Sequence, residues 1–396
     1  MTTFSGPETG AASRERSTVQ ASSLHEIHRL VERRGADTIA LHVGEPHVRM
    51  PEPVAEAFVR AIRDGLTCYT DAPGLLVLRE AIAQQLSGNG DPHPENVFVT
   101  PGSCQAIAAV LDSLPADRGV ALLPEIHWPI HLQQILLAGL QPRFYSVDDG
   151  DAGPAEVAGA LNAVYGSDVR VLIASSPANP SGMVLGRKAL AQIHAWAVRH
   201  RVWLISDEAY EDFVFEGEPP CMAAYDSLLP ETERVVFSVH TFSKGFSMTG
   251  CRLGYVTAPS AARAEPLRRV QEATLIAPST PAQYAGLEAL RHRSHLAAHH
   301  SYVRATRDEV ISLVEPAGLL WHRPAGGWYA LLDLSAYTRD TDAFVRTLLE
   351  CAGVALAPGH GFVPPGHGLA RQLVRLTLCA ERAVTLEGIR RLLAFG

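Results

Sequence analysis

Short apolar runs alternate with amphipathic stretches through the middle of the chain. The runs are Asn96–Thr100, Val120–Leu123, Arg143–Val147, Val169–Ala174, Val202–Ser206, Val235–Val239 and Leu253–Thr257. Between them, Gln105–Leu114, His131–Ala138, Ala155–Tyr165 and Arg187–His200 carry apolar residues at spacings of three and four, the period of a helix with one buried face. Strands of this length separated by helices of this length predict an open, mostly parallel seven-stranded sheet covered by helices. The first 22 residues, rich in Ser, Thr, Gly and Ala, show no period and read as a flexible arm. Beyond Pro281 the pattern changes to a long helical stretch, a turn at Gly326-Gly327 and a mixed helix and strand tail, which predicts a smaller α+β unit. No repeat of fixed period is present, which argues against a solenoid or propeller.

Composition narrows the function. Lys and Arg number 34 against 42 Asp and Glu, a net charge of -8, and no block of five basic residues occurs, so neither nucleic acid nor an acidic membrane surface is an expected partner. No apolar run reaches the roughly 18 residues of a membrane span, and the start lacks a signal-peptide layout, so the expected location is cytoplasmic. The six cysteines are scattered, without a C-x-x-C pair or a His at zinc spacing, and no metal is expected. Nearly all the positive charge is arginine: the chain has two lysines, Lys188 and Lys244. Chemistry that needs a lysine amine therefore has two candidates.

In an open α/β sheet, ligands bind beyond the carboxyl ends of the strands. Thr100-Pro101-Gly102-Ser103-Cys104 passes from strand into helix, where free N–H groups and the helix dipole make an anion cradle, although Gly-Ser before a helix is also an ordinary cap. Pro177-Ala178-Asn179-Pro180-Ser181-Gly182 follows another strand; the prolines hold the Asn179 backbone and suit a cis bond at Asn179–Pro180, with a plain turn as the bland alternative. Ser206-Asp207-Glu208-Ala209-Tyr210 ends an apolar strand on a carboxylate with no local cation, so Asp207 either awaits a cation from a ligand or caps a helix. Lys244, within Thr241-Phe242-Ser243-Lys244-Gly245, lies in an apolar, small-residue turn after a strand and reads as a sequestered amine suited to Schiff-base chemistry. Lys188 lies in the polar first turn of a helix and reads as a surface residue.

Taken in order, Gly44-Glu45-Pro46, Tyr69 with Pro73-Gly74, the Gly102 turn, Asn179-Pro180-Ser181-Gly182, Asp207-Glu208-Ala209-Tyr210, Ser243-Lys244 with Arg252, and Val374-Arg375-Leu376 resemble the class I/II aminotransferases, pyridoxal-phosphate enzymes of fold type I. The resemblance runs from about Leu24 to the C-terminus. It implies four segments: a flexible arm at 1–23, a piece of the small domain at 24–50, a large cofactor-binding domain at 51–280 and the rest of the small domain at 281–396. It implies that Lys244 forms a Schiff base with pyridoxal 5'-phosphate and then moves the substrate proton, that Asp207 pairs with the pyridine nitrogen, and that Asn179 and Tyr210 bond the ring oxygen while Trp128 stacks on the ring. The phosphate would be held by Gly102, Ser103, Cys104, Thr241, Ser243 and Arg252, with Tyr69 reaching in from a second subunit of a homodimer. Arg375 would clamp the substrate α-carboxylate beside Gly44 and Asn179, so the substrates implied are an α-amino acid and a 2-oxo acid.

Some positions depart from that pattern. His47-Val48 replaces Asp-Phe, Cys251 replaces a Trp, and His131 stands where a Tyr is frequent; His47, Arg49, His127, His131 and Trp328 are candidates for the side-chain pocket. Fold and cofactor do not settle the reaction, so elimination, replacement, cyclisation or oxidation stands as the alternative to amino exchange. His292, His295, His299 and His300 crowd one helical segment, where a solvated face is expected rather than a metal site. A regulatory module is disfavoured because no helix-turn-helix or basic face precedes Leu24.

Overall fold

The computed structural model describes residues 23–35, 37–114, 119–146 and 157–396. The arm expected at 1–23 thus lies almost wholly outside the described residues, as do Val147 and the first two residues of the helix expected at 155–165. The strands are β1 (Ile39–Ala40), β2 (Val97–Thr100), β3 (Val120–Pro124), β4 (Gln141–Tyr145), β5 (Val169–Ser175), β6 (Trp203–Asp207), β7 (Val236–Thr241), β8 (Gly254–Thr257), β9 (Tyr329–Asp333), β10 (Val354–Ala355), β11 (Ala357–Pro358) and β12 (Leu373–Thr377).

Seven of them form one sheet in the order β2-β8-β7-β6-β5-β3-β4. The pairings β4 with β3, β3 with β5, β5 with β6 and β6 with β7 are parallel, whereas β8 runs antiparallel to both β7 and β2. Each expected run is one of these strands. The largest offset is at β4, which lies two residues before the expected Arg143–Val147: it is the edge strand and begins on the exposed Gln141, so its polarity hides its start.

Alternate residues of the central strands serve opposite faces. Val171, Ile173, Ile205 and Phe237 enter a core with Ile107 and Val110 of the helix Ser103–Ser113 and Leu267 of Ala261–Thr274. Leu172, Ala174, Leu204 and Val236 enter the opposite core with Leu190, Ile193 and Trp196 of Arg187–His200. Both faces are therefore dry, and the strands read as unbroken apolar runs. The chain order reverses between β3 and β5, so the crevice at their carboxyl ends falls beside Trp128 and Asn179.

A second body of structure packs against this one. β12 lies between β11 and β9 in an antiparallel sheet, and β1 pairs with β10. Their core joins Ile27, Ile39 and Leu41 to Val303 and Val310 of the helix Ser294–Val314 and to Val374, Leu376 and Ile389, uniting early and late segments of the chain. The helix Thr280–Arg291 packs on Glu52–Arg63 and places Ala282 and Ala285 in a cluster with Val97, Val99 and Tyr255 of the large sheet. Among the described residues no helix is long and apolar enough to cross a membrane.

Leu204 is fully enclosed in the middle of β6. Leu204→Ala is expected to lower unfolding stability by about 2–5 kcal/mol, seen as a lower urea midpoint; an unchanged midpoint would contradict the packing described.

Candidate active site

The large sheet brings the ends of four strands and one helix to a single cavity of about 370 Å³. Gly44, Ser103, Cys104, Trp128, Asn179, Asp207, Tyr210, Thr241, Ser243, Lys244, Arg252 and Arg375, expected at the site from sequence, all line it.

At one end, Gly102 precedes the helix Ser103–Ser113 with no side chain capping it, so the first helix N–H groups face the cavity with the positive end of the helix dipole. Gly102 has φ +81°, and a methyl there would lie 2.6 Å from Arg252 Nη2. Arg252 is held by the carbonyls of Thr249 (2.7 Å) and Pro101 (3.3 Å). Gly254 of β8 lets the strand pass close beneath, since a methyl there would sit 2.8 Å from Ser103 N. Thr241 Oγ1 accepts from Ser243 N (3.1 Å), which sets both residues beside the cradle. Helix amides, one guanidinium and two hydroxyls in this array suit a phosphate.

Asp207 ends β6, is nearly buried, and accepts a 3.2 Å hydrogen bond from Ala209 N in a turn; no helix begins there, so the helix-cap alternative does not apply. Its other oxygen meets His131 Nε2 at 3.0 Å. Sequence left His131 open, because the pairing joins residues 76 positions apart. Lys244 Nζ stands 4.8 Å from the Trp328 ring centre and 5.6 Å from that of Tyr210, and has no carboxylate within ion-pair reach among the described residues. Burial and the neighbouring Tyr329 hydroxyl push the Tyr210 phenol well above its ordinary range, so it remains a protonated donor.

At the other end Arg375 projects from β12. Its Nη1 donates to Asn179 Oδ1 (3.0 Å) and its Nη2 to His42 O (2.7 Å), while Nε has no partner among the described residues. The rings of Tyr329 and Phe362 flank it at 4.0 and 4.6 Å. It is 2% exposed and forms no ion pair among the described residues. Burial holds its basicity below the usual guanidinium level. His42 beside it is pushed down to about 4, first by burial and then by the charges of His28 and Arg375, so it adds no second positive charge. Gly44 is required where it stands, because a methyl would collide with the Tyr329 hydroxyl. Tyr329, His42 and Thr249 line the cavity without any sequence signal; Tyr329 was hidden among apolar neighbours in β9.

Other expected residues fall elsewhere. Tyr69 is 81% exposed and does not line the cavity; its loop is pinned by Thr280 Oγ1 donating to Cys68 O (2.6 Å) and Gln283 Nε2 to Thr70 Oγ1 (3.2 Å). Of the side-chain pocket candidates, His47 stacks on Tyr302 at an exposed position and Arg49 is exposed. Trp328 is fully buried beneath Lys244. His127 and His131 line an adjoining cavity of about 310 Å³ that shares Trp128 and Asn179 with the first. The solvated face expected for the four-histidine helix is corrected at His299. That residue is fully buried against Phe213 and Trp328, its Nδ1 3.2 Å from Gly245 O, because its face of the helix packs under the lysine turn. Both Ser176–Pro177 and Asn179–Pro180 are cis.

Residues 36–394 match the family model described as aminotransferase class I and II. An aspartate aminotransferase of Thermotoga maritima is 34% identical over 370 residues, covering 88% of this chain and 91% of its own. A probable aspartate/prephenate aminotransferase of Thermus aquaticus is 33% identical over 349 residues, covering 85% and 87%. Among solved structures, N-succinyldiaminopimelate aminotransferase from Mycobacterium tuberculosis superposes with a TM-score of 0.88 at 28% identity, covering 98% of this chain and all of its own.

Gly102→Ala forces a left-handed backbone on a residue with a side chain and displaces Arg252. At about 1–3 kcal/mol of strain, phosphate affinity at the cradle is expected to fall about tenfold or more, measured by equilibrium dialysis of pyridoxal phosphate. Unchanged affinity would remove the cradle from this helix end.

Proposed function

The chain belongs to the class I and II aminotransferase family and is an aminotransferase, and from that premise we propose that it uses pyridoxal 5'-phosphate, anchored on Lys244, to exchange an amino group between an α-amino acid and a 2-oxo acid. The observation that carries the reading is the pairing, in one cavity, of the Lys244 amine with the buried, anion-free guanidinium of Arg375. One group suits a carbonyl; the other suits a carboxylate.

The residues present fit the cofactor. An uncapped helix end beside Arg252 suits its phosphate, a buried carboxylate with one open side suits a protonated ring nitrogen, and an amine without an acidic partner suits its aldehyde. Ser103, Cys104, Thr241, Ser243 and Arg252 would hold the phosphate, Asp207 the ring nitrogen, Asn179 and Tyr210 the ring oxygen, and Trp128 one ring face. When bound, pyridoxal phosphate supplies an electron sink for the charge left on the substrate when its Cα proton departs.

The protein's own steps follow from its geometry. Arg375 takes the α-carboxylate in a two-pronged grip with Asn179 beside it, which fixes Cα relative to Lys244. Lys244 would hold the cofactor's aldehyde carbon, and its amine, when free, would serve as the base that takes the proton from the substrate Cα. His131 holds Asp207, whose carboxylate would take the ring nitrogen, and Trp128 and Tyr329 would limit access of water. The second half of the exchange reverses these movements with a 2-oxo acid. The named relatives are all transaminases, which favours amino exchange over elimination, replacement, cyclisation or oxidation.

The outward reach of Tyr69 supports its completing the phosphate site of a second copy in a homodimer. The shared core of Ile27, Leu41 and Val374 supports a small domain assembled from 24–50 and 281–396 around a cofactor domain at 51–280, with Thr280–Arg291 packed across the division. A cytoplasmic location completes the proposal.

Lys244→Ala is expected to lose the visible absorbance of the lysine-linked cofactor and about 10²–10⁴-fold or more in turnover, while Lys188→Ala retains both. Retention of that band in Lys244→Ala would move the anchor. Arg375→Lys, which keeps the charge and loses the fork, is expected to raise KM for amino and oxo acid alike by about tenfold or more. A single turnover with amino acid should give one oxo acid per site; ammonia, an alkene, a ring or peroxide in its place would establish the alternative chemistry.

A further inference from the structure

Next to the active site, around the residues that follow Asp207 and precede Thr241, lies a polar cavity of about 120 Å³ that the transamination chemistry does not use. Glu208, Glu211 and His240 line it, and each presents one ligand atom to a common point: the three atoms lie within 4.8 Å of one another. Each is held. Glu208 Oε1 accepts from Ser206 Oγ (2.7 Å) and Met222 N (3.2 Å), His240 Nδ1 meets Glu211 Oε1 at 2.9 Å, and the His240 ring is stacked on Tyr255 with centres 4.7 Å apart.

A second observation is independent of this cluster. Ser238 lies two residues before His240 in β7, hence on the same face, and lines the same cavity. Its hydroxyl is enclosed, the residue 2% exposed, and among the described residues it has no hydrogen-bond partner. An orphaned buried hydroxyl beside two carboxylates marks a place built for something more. The charges agree. Asp212, which also faces this region, has Arg293 at 3.6 Å, and Asp226 is paired with His194 at 3.0 Å. Glu208 and Glu211 face the one imidazole of His240, and Arg234, which also lines the cavity, is turned to the carbonyls of Leu229 and Ser227. A divalent cation would take the place of the imidazole proton between the two carboxylates.

We propose that Glu208, Glu211 and His240, with the Ser238 hydroxyl or water completing the set, form a binding site for a Zn²⁺-type divalent cation. One imidazole nitrogen and two carboxylate oxygens suit Zn²⁺ over the harder Mg²⁺. Tetrahedral ligands about 2.0–2.2 Å from the ion stand about 3.3–3.6 Å apart, so side-chain shifts of about an ångström from the observed spacing close the site. The ion's role is to position: it ties together the ends of β6 and β7, and with them Asp207 on one side and Thr241, Ser243 and Lys244 on the other.

The test measures metal, not turnover. Untagged holoenzyme is stripped with chelator, incubated with ZnCl₂, desalted and assayed for zinc by mass spectrometry. Wild type should retain one more Zn²⁺ per chain than His240→Gln and Glu208→Gln, and Zn²⁺ should raise the melting temperature of wild type but not of the variants. Equal zinc in wild type and variants, the result for a cavity holding water alone or for adventitious binding by surface histidines, overturns the proposal. If His240→Gln or Glu208→Gln fails to fold, the half-exposed Glu211 replaces it as Glu211→Gln. Co²⁺ loaded into wild type supplies a readout free of mutation: visible d–d absorbance quenched by Zn²⁺ is expected, and its absence sinks the site.

Discussion

A guanidinium enclosed in protein with no anion beside it costs several kcal/mol, and the region around Arg375 is arranged to bear that cost. Two carbonyl-type oxygens, from His42 and Asn179, take its Nη protons, and two ring faces replace water along its flanks. The arrangement reaches far into the chain. Arg375 sits in β12 between two strands, with Val374 and Leu376 turned into the apolar core and the guanidinium turned the other way. The smaller body of the protein thus acts as a rigid mount for one charge. Its partner Asn179 follows β5 of the large sheet, so this hydrogen bond joins both bodies.

The large sheet solves the opposite problem, which is to hold an anion and an acid near each other without mutual repulsion. Parallel strands deliver their carboxyl ends to one edge, and the reversal of order between β3 and β5 opens a crevice there. The phosphate cradle is built at a different part of that edge, where β8 passes under the helix Ser103–Ser113 through the gap left by Gly254. Asp207, at the end of β6, is separated from it and is compensated by His131. Lys244 follows β7, between these two centres of opposite sign, close to aromatic rings rather than to any carboxylate.

The sheet was legible because its strands are buried on both faces and so leave unbroken apolar runs; β4, on the edge, was the strand whose start the pattern missed. Motif residues were legible because turns at strand ends demand special residue types, glycine at 102 and proline around Asn179. What the chain concealed were contacts between elements distant in sequence. Tyr329 looks like one more apolar position of β9, and His299 like one more polar residue on an exposed helix, until packing sets one against Arg375 and the other under the lysine turn. Glu208, Glu211 and His240 were likewise invisible as a group, since 29 residues separate Glu211 from His240.

The departures from the family pattern acquire different meanings once they are placed. His47 stacks on Tyr302 at the surface and lies outside the cavity, and Cys251 is half-buried beside the cradle with its side chain in an apolar cluster. Neither meets the substrate end marked by Arg375. His131 is the consequential one, and it faces Asp207. A group that donates to one oxygen of that carboxylate takes electron density from it and so moderates its hold on a ring nitrogen. The histidine at 131 thus both meets Asp207 and lines the adjoining cavity that shares Trp128 and Asn179 with the first. The two cavities meet at Trp128 and Asn179, so His131 stands where the Asp207 end and the adjoining space come together.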